Sequence, residues 1–179
     1  MKTFSSFLLL LCIGVAITSC SDKNSLQNYF IDHAEQSGFS SSTIPISLLR
    51  QDGIQLSEKQ EEALDAIDRI NLLFYRTTPE KQTEFTSERK NIKTILKNKK
   101  YEELMNLGNK GVVKYIGTDT AMDEIVIFLS NQEMGFAVTR IIGDNMTIEK
   151  FMELYKLTQQ RNTPLNFDLT SITKLMGTN

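Results

Sequence analysis

Glu124-Ile125-Val126-Ile127-Phe128-Leu129-Ser130, then Asn131-Gln132-Glu133-Met134, then Gly135-Phe136-Ala137-Val138-Thr139-Arg140-Ile141-Ile142: two β-branched and aromatic runs flank a short polar stretch. Runs of this kind around a turn read as an antiparallel hairpin. If Asn131 to Met134 form the loop, Ser130 pairs with Gly135. Ile125, Ile127, Leu129, Phe136, Val138, Arg140 and Ile142 then share one face, which is expected to lie under helices. The other face carries Glu124, Val126, Phe128, Ala137, Thr139 and Ile141. An antiparallel sheet with one open side alternates apolar and polar residues, and this second face is too apolar for that. Two covers are open to it. One is the chain's own tail, where Leu165, Phe167 and Leu169 alternate as a docking strand would. The other is a partner protein, because large exposed apolar patches mark contacts. The tail is the preferred expectation, since a secreted monomer must stay soluble.

Outward from the hairpin, Val112 to Gly117 adds a third strand, preceded by a turn at Asn109-Lys110-Gly111. Tyr101 to Leu107 reads as a short helix stopped at Gly108. Thr78-Pro79-Glu80 opens a long helix with Pro at its first position, and Phe85, Ile92, Ile95 and Leu96 give it a narrow apolar stripe. Ile70 to Arg76 has strand character. Ser57-Glu58-Lys59-Gln60 is a capping box ahead of Ala63, Leu64 and Ile67. Phe39 to Leu49, with Pro45, reads as extended and suits an edge strand; its end, Ile46 to Leu49, equally suits a helical turn. Ser25 is placed as an N-cap, with Leu26, Tyr29, Phe30 and His33 on one helical face and Gly38 as the stop. On the other side of the hairpin, Thr147 caps a helix with Ile148, Phe151, Met152 and Tyr155 on one side. The order of elements argues an α+β fold: a mainly antiparallel sheet of about four strands with helices packed on one face.

The amino terminus follows different rules. Lys2 precedes an apolar run from Phe7 to Ile17, which is too short for a helix across a hydrocarbon core of roughly 30 Å. The layout is that of a secretory signal. Ile17-Thr18-Ser19-Cys20 resembles a bacterial lipobox. That resemblance implies cleavage before Cys20, lipid on its sulfur and acylation of the new amino terminus. The expected organisation is a signal over residues 1–19, a lipidated Cys and short tether over 20–24, and a single α+β domain with an apolar tail over 25–179. The anchor, lipid on Cys20, makes the membrane the first expected partner.

Composition narrows the chemistry. With 20 Lys+Arg against 22 Asp+Glu, the chain lacks the basic excess of a nucleic-acid binder. Of its two Cys, Cys12 leaves with the signal and Cys20 carries lipid, so the expected mature domain holds neither a thiol nor a disulfide. No cofactor or metal motif is legible. His33 is the sole His and sits on an apolar helix face, where packing is the simpler role. No Gly-x-Ser-x-Gly elbow, P-loop or Gly-x-Gly-x-x-Gly motif appears. Two carboxylate groups remain, Glu61, Glu62, Asp65 and Asp68 on one helix and Asp119, Asp123 and Glu124 at one turn. Paired carboxylates can run acid–base chemistry or hold a hard cation, but a solvated face explains them more simply. Lys90, Lys93, Lys97, Lys99 and Lys100 form a basic cluster. It could face anionic headgroups, yet with Glu80, Glu84 and Glu88 earlier on the helix it reads first as a complement to the helix dipole.

Leu26 to Phe30, Ile44-Pro45, Leu56 to Tyr75, Lys100 to Leu104, Val113 to Tyr115, Asp123 to Val126 and Gly135 to Val138 together resemble the small lipoproteins of Bacteroidota grouped as domain-of-unknown-function family 4252. The resemblance covers Leu26 to Gln160 and rests mostly on core positions. It implies fold and an envelope location, and brings no catalytic motif. Ser21 rather than Asp follows Cys20, and Ser21 to Asn24 contain one acid. Neither the inner-membrane retention signal of enteric bacteria nor the acid-rich surface-export signal of Bacteroidota is therefore present. The expected location is the outer membrane, facing the periplasm. The expected function is that of a non-enzymatic protein-interaction module with an envelope protein as partner. The rivals are a regulatory or sensing lipoprotein of an envelope stress response, a small-molecule or lipid carrier and, last, a carboxylate-only hydrolase.

Overall fold

Local signals set the ends of the helices. Ser25 accepts a hydrogen bond from the Asn28 amide at 3.2 Å and starts α1, Leu26–His33. Ser57 and Gln60 complete the capping box of α2, Glu58–Asp65, each side chain bonding the other's backbone amide. Pro79–Lys81 form a 3-10 turn that runs into α3, Gln82–Ile95. Thr147 Oγ1 accepts from the Lys150 amide at 3.2 Å and opens α4, Ile148–Thr158. The computed structural model describes residues 24–50 and 55–158. The signal, Cys20 and the tail that includes Leu165, Phe167 and Leu169 lie outside the described residues.

The described strands are β1 Phe39–Ile44, β2 Ile67–Arg76, β3 Glu102–Asn106, β4 Gly111–Thr118, β5 Ala121–Asn131 and β6 Gly135–Met146. They form one antiparallel sheet of six strands in the order β1-β2-β6-β5-β4-β3. The expected α+β class holds, with six strands where about four were anticipated. Two edge strands account for the difference. Phe39–Ile44 pairs with β2 and is followed by a 3-10 helix, Ile46–Arg50, so both expectations for that stretch are met in succession. Glu102–Asn106 is a strand rather than a helix. Its Glu- and Leu-rich sequence favours helix on propensity alone, but pairing with β4 prevails.

The hairpin register differs by one residue from the expected one. Asn131, not Ser130, pairs with Gly135, leaving Gln132 to Met134 as the loop. Asn131 Oδ1 accepts from the amides of Glu133 at 2.8 Å and Met134 at 3.2 Å, which closes the shorter loop. Gly135 has φ +116°, and a Cβ there would stand 1.8 Å from the Tyr75 carbonyl oxygen on β2, so the close approach requires glycine. Because side chains alternate, the one-residue slip exchanges the faces of β6 relative to β5. Phe128 now lies with Phe136 and Val138, and Ile125 and Ile127 lie with Ala137, Thr139 and Ile141.

Both faces are covered by helices, which corrects the expectation of helices on one face. α2 and α4 pack through Ala63, Leu64, Phe151 and Leu154 onto Ile67, Ile70, Ile125, Ile127 and Ile141. α1 and α3 pack through Leu26, Tyr29, Phe85 and Ile92 onto Leu73, Tyr75, Val126, Phe128, Phe136 and Val138. Phe128 is fully buried in the cluster to which α1 and α3 contribute, and the tail expected as its cover lies outside the described residues. On α4 the apolar stripe is Phe151, Leu154 and Leu157, whereas Met152 and Tyr155, expected to face inward, are exposed.

Candidate functional site

Polar groups that could support a function lie on both sides of the sheet, the larger set on the α1/α3 side. Tyr29 on α1 donates its hydroxyl to Glu88 Oε2 on α3 at 2.6 Å. Burial first, and the Glu88 bond second, push the Tyr29 phenol well above its ordinary range. His33, one turn further along α1, stacks on Tyr29 with ring centroids 3.8 Å apart. Its Nδ1 lies 2.8 Å from the Tyr29 carbonyl, an acceptor only, so this nitrogen carries a proton. Its Nε2 faces Glu88 at 3.5 Å. Stacked and engaged at both nitrogens, His33 ties α1 to α3.

Deeper on the same side, Arg140 of β6 and Glu124 of β5 form a forked ion pair at 2.7 and 3.0 Å. Phe30 of α1 lies over the guanidinium, 5.5 Å from the ring centroid. The sequence reading placed Glu124 and Arg140 on opposite faces. The observed register puts them on one face, and the buried pair in turn penalises any slip back.

At the far end of α3 a cleft of about 340 Å³ opens between that helix and the β3–β4 end of the sheet. Arg89 and Lys93 line it from α3, Lys97 from just past that helix, Lys114 from β4 and Glu103 from β3. Lys114 Nζ donates to the Tyr101 carbonyl at 3.3 Å. Burial, followed by the charges of Arg89 and Lys97, lowers the Lys93 ammonium below its ordinary range. The basic cluster read from the sequence is thereby divided. Lys93 faces this cleft, Lys97 lines both it and a larger hollow of about 730 Å³ beside His33, Lys90 lines only that hollow, and Lys100 lies over the Tyr101 ring at 5.2 Å. Arg89 and Lys114 did not stand out in the sequence. Only the packing of α3 over β4 brings them together.

The carboxylate groups are dispersed. Arg50 binds Glu61 at 3.2 Å and also holds Asp65. Asp119 accepts from the Tyr115 hydroxyl, as does Glu102 at 2.9 Å, and these two bonds, Asp119 foremost, raise the Tyr115 phenol. Among the described residues, no group of His, Cys, Asp and Glu is arranged to hold a metal ion, and no helix is long and apolar enough to cross a membrane. Cys20, the lipidation residue expected from the sequence, lies outside the described residues.

A six-stranded antiparallel sheet with helices on both faces and a basic cleft at one end defines a small α+β domain. The family model for a domain of unknown function, DUF4252, matches residues 29–154, and the chain belongs to that family. No curated protein and no solved structure matches the chain.

Proposed function

We propose that this chain is a lipid-anchored domain of the bacterial envelope that works by binding another envelope protein rather than by catalysis. The observation that carries the anchor is the apolar run from Phe7 to Ile17 ending in Ile17-Thr18-Ser19-Cys20. Acyl chains contribute about 0.8 kcal/mol per buried CH₂, and more than one chain gives stable attachment. Orientation toward the periplasm from the outer membrane follows from Ser21 to Asn24, which carry neither a retention nor a surface-export pattern. The non-catalytic part is supported by how the reactive side chains are engaged. His33 is stacked and bonded, Glu124 is paired with Arg140, Glu61 and Asp65 serve Arg50, and Asp119 serves Tyr115. A lipid carrier is less well supported, because helices pack on both faces of the sheet through two large apolar clusters.

Metabolic labelling with a fatty acid tests the anchor: label in the wild type and none in Cys20→Ala is the expected result, and equal label contradicts it. Turnover of ester, glycoside or phosphate substrates by the purified chain, abolished by Asp119→Asn or Asp123→Asn, would contradict the non-catalytic part.

A further inference from the structure

The cleft between α3 and the β3–β4 end carries a charge pattern that packing does not require. Arg89 and Lys93 stand at i, i+4 on α3, where like charges oppose helix formation, and Lys97 follows just past the helix end. A dipole argument reaches only the last turn of a helix. Lys93 stands there, but Arg89 lies more than a turn earlier and Lys114 comes from a strand. Glu103, the acid lining the cleft, accepts from Asn106 Nδ2 at 3.3 Å. Among the described residues, no ion pair neutralises Arg89, Lys93, Lys97 or Lys114. Arg89 Nε is buried with no hydrogen-bond partner, a costly state for a charged donor.

We infer that this cleft is a binding site for a compact oxyanion of two or more negative charges, a phosphate or pyrophosphate group. Its volume of about 340 Å³ suits a ligand of that size with a small substituent. Arg89 lines the cleft, and a guanidinium's two terminal nitrogens form a planar fork for two oxygens of one phosphate. Lys93, Lys97 and Lys114 supply point charges around it, and the side-chain amides of Asn106 and Asn109 stand at the mouth as further donors. Such an anion sets a counter-charge against the four cations that the cleft brings together, Arg89, Lys93, Lys97 and Lys114. The phosphate belongs either to a free phosphorylated compound or to a lipid headgroup.

The test uses the full chain reconstituted in phosphatidylcholine vesicles, with an environment-sensitive dye on Lys110→Cys at the rim of the cleft. Pyrophosphate is added in solution in one arm, and phosphatidic acid is included in the bilayer in the other. A saturable response in either arm supports the site, and the responding arm names the source of the phosphate. Arg89→Gln and Lys93→Gln are each expected to weaken binding by about tenfold or more, the worth of a charge-assisted hydrogen bond, without lowering the melting temperature of the ligand-free protein. Lys90→Gln removes the same charge from the same helix outside the cleft and should leave affinity unchanged. Should Arg89→Gln fail to fold, Lys114→Gln on the opposite wall carries the same expectation. No saturable response in either arm, or an equal loss in Lys90→Gln, overturns the inference.

Discussion

The two faces of the sheet are built from different materials. Under α2 and α4 the contacts are largely aliphatic: Ala63, Leu64, Ile67, Ile70, Ile125, Ile127 and Ile141. Under α1 and α3 they are largely aromatic, with Tyr29, Phe39, Tyr75, Phe85, Phe128 and Phe136 in one cluster. The aromatic face also holds the buried ion pair Glu124–Arg140, the Tyr29–Glu88–His33 contacts and the basic cleft. The aliphatic face carries fewer polar contacts: the Tyr115 hydroxyl with Glu102 and Asp119, and Arg50 with Glu61 and Asp65 of α2. Aromatic rings with polar tips bring donors into the other layer, where the Tyr29 hydroxyl is paired with Glu88 while the Tyr75 hydroxyl is buried without a hydrogen-bond partner among the described residues. This contrast locates function on the α1/α3 side.

Phe136→Ala should give the largest loss, about 3–5 kcal/mol, because it removes the ring that touches Phe39, Tyr75, Phe85 and Phe128 together. Chemical unfolding measures it. A loss no larger than that of a surface change would dissolve the aromatic cluster as a unit. Glu124→Ala should cost about 3 kcal/mol by leaving Arg140 buried without its partner. The double change Glu124→Leu with Arg140→Met should recover most of that loss. If the single change is neutral, the pair does not hold the register.

Tyr29→Phe removes the shortest of Glu88's hydrogen bonds, leaving Asn91 Nδ2 at 3.3 Å, and should cost about 1–3 kcal/mol. It should also alter the response to alkali. The folded-state phenol of Tyr29 lies above its ordinary value, and that of Tyr75 is pushed up to about 12, mainly by burial. A raised pKa contributes stability that is complete below the unfolded value of about 10 and is lost as pH rises toward the folded value. Melting temperature should therefore fall between about pH 10 and 12, and fall less steeply in Tyr29→Phe. Parallel curves would remove Tyr29 from the account. The smallest effect belongs to the aliphatic side. Ser57→Ala breaks the capping box of α2 and should cost about 1 kcal/mol, while leaving anion binding at the cleft unchanged.

Much of this was legible in residues. The hairpin, the caps at Ser25, Ser57 and Thr147, and the stripe Phe85–Ile92–Leu96 follow from short-range rules and are found where those rules put them. The hairpin register was not legible, because both faces of β5 and β6 are apolar and alternation cannot choose between them. The choice came from Asn131 Oδ1 and Gly135, which set the loop length. β3 was hidden because an edge strand with exposed Glu102 and Glu103 carries no two-residue alternation, and its residues favour helix. The cleft was half visible. Lys93 and Lys97 were read on α3, but Lys114 lies on another element and Arg89 was one basic residue among several. A site assembled by a crossing over the sheet leaves no local pattern.

The division of labour between the faces is tested most directly by hydrogen–deuterium exchange on the full chain with and without pyrophosphate. The account predicts slower exchange in α3 around Arg89 to Lys97 and in the β3–β4 segment around Asn106 to Lys114, with α2 and α4 unchanged. Protection confined to α2 and α4, or no change anywhere at saturating pyrophosphate, would contradict it.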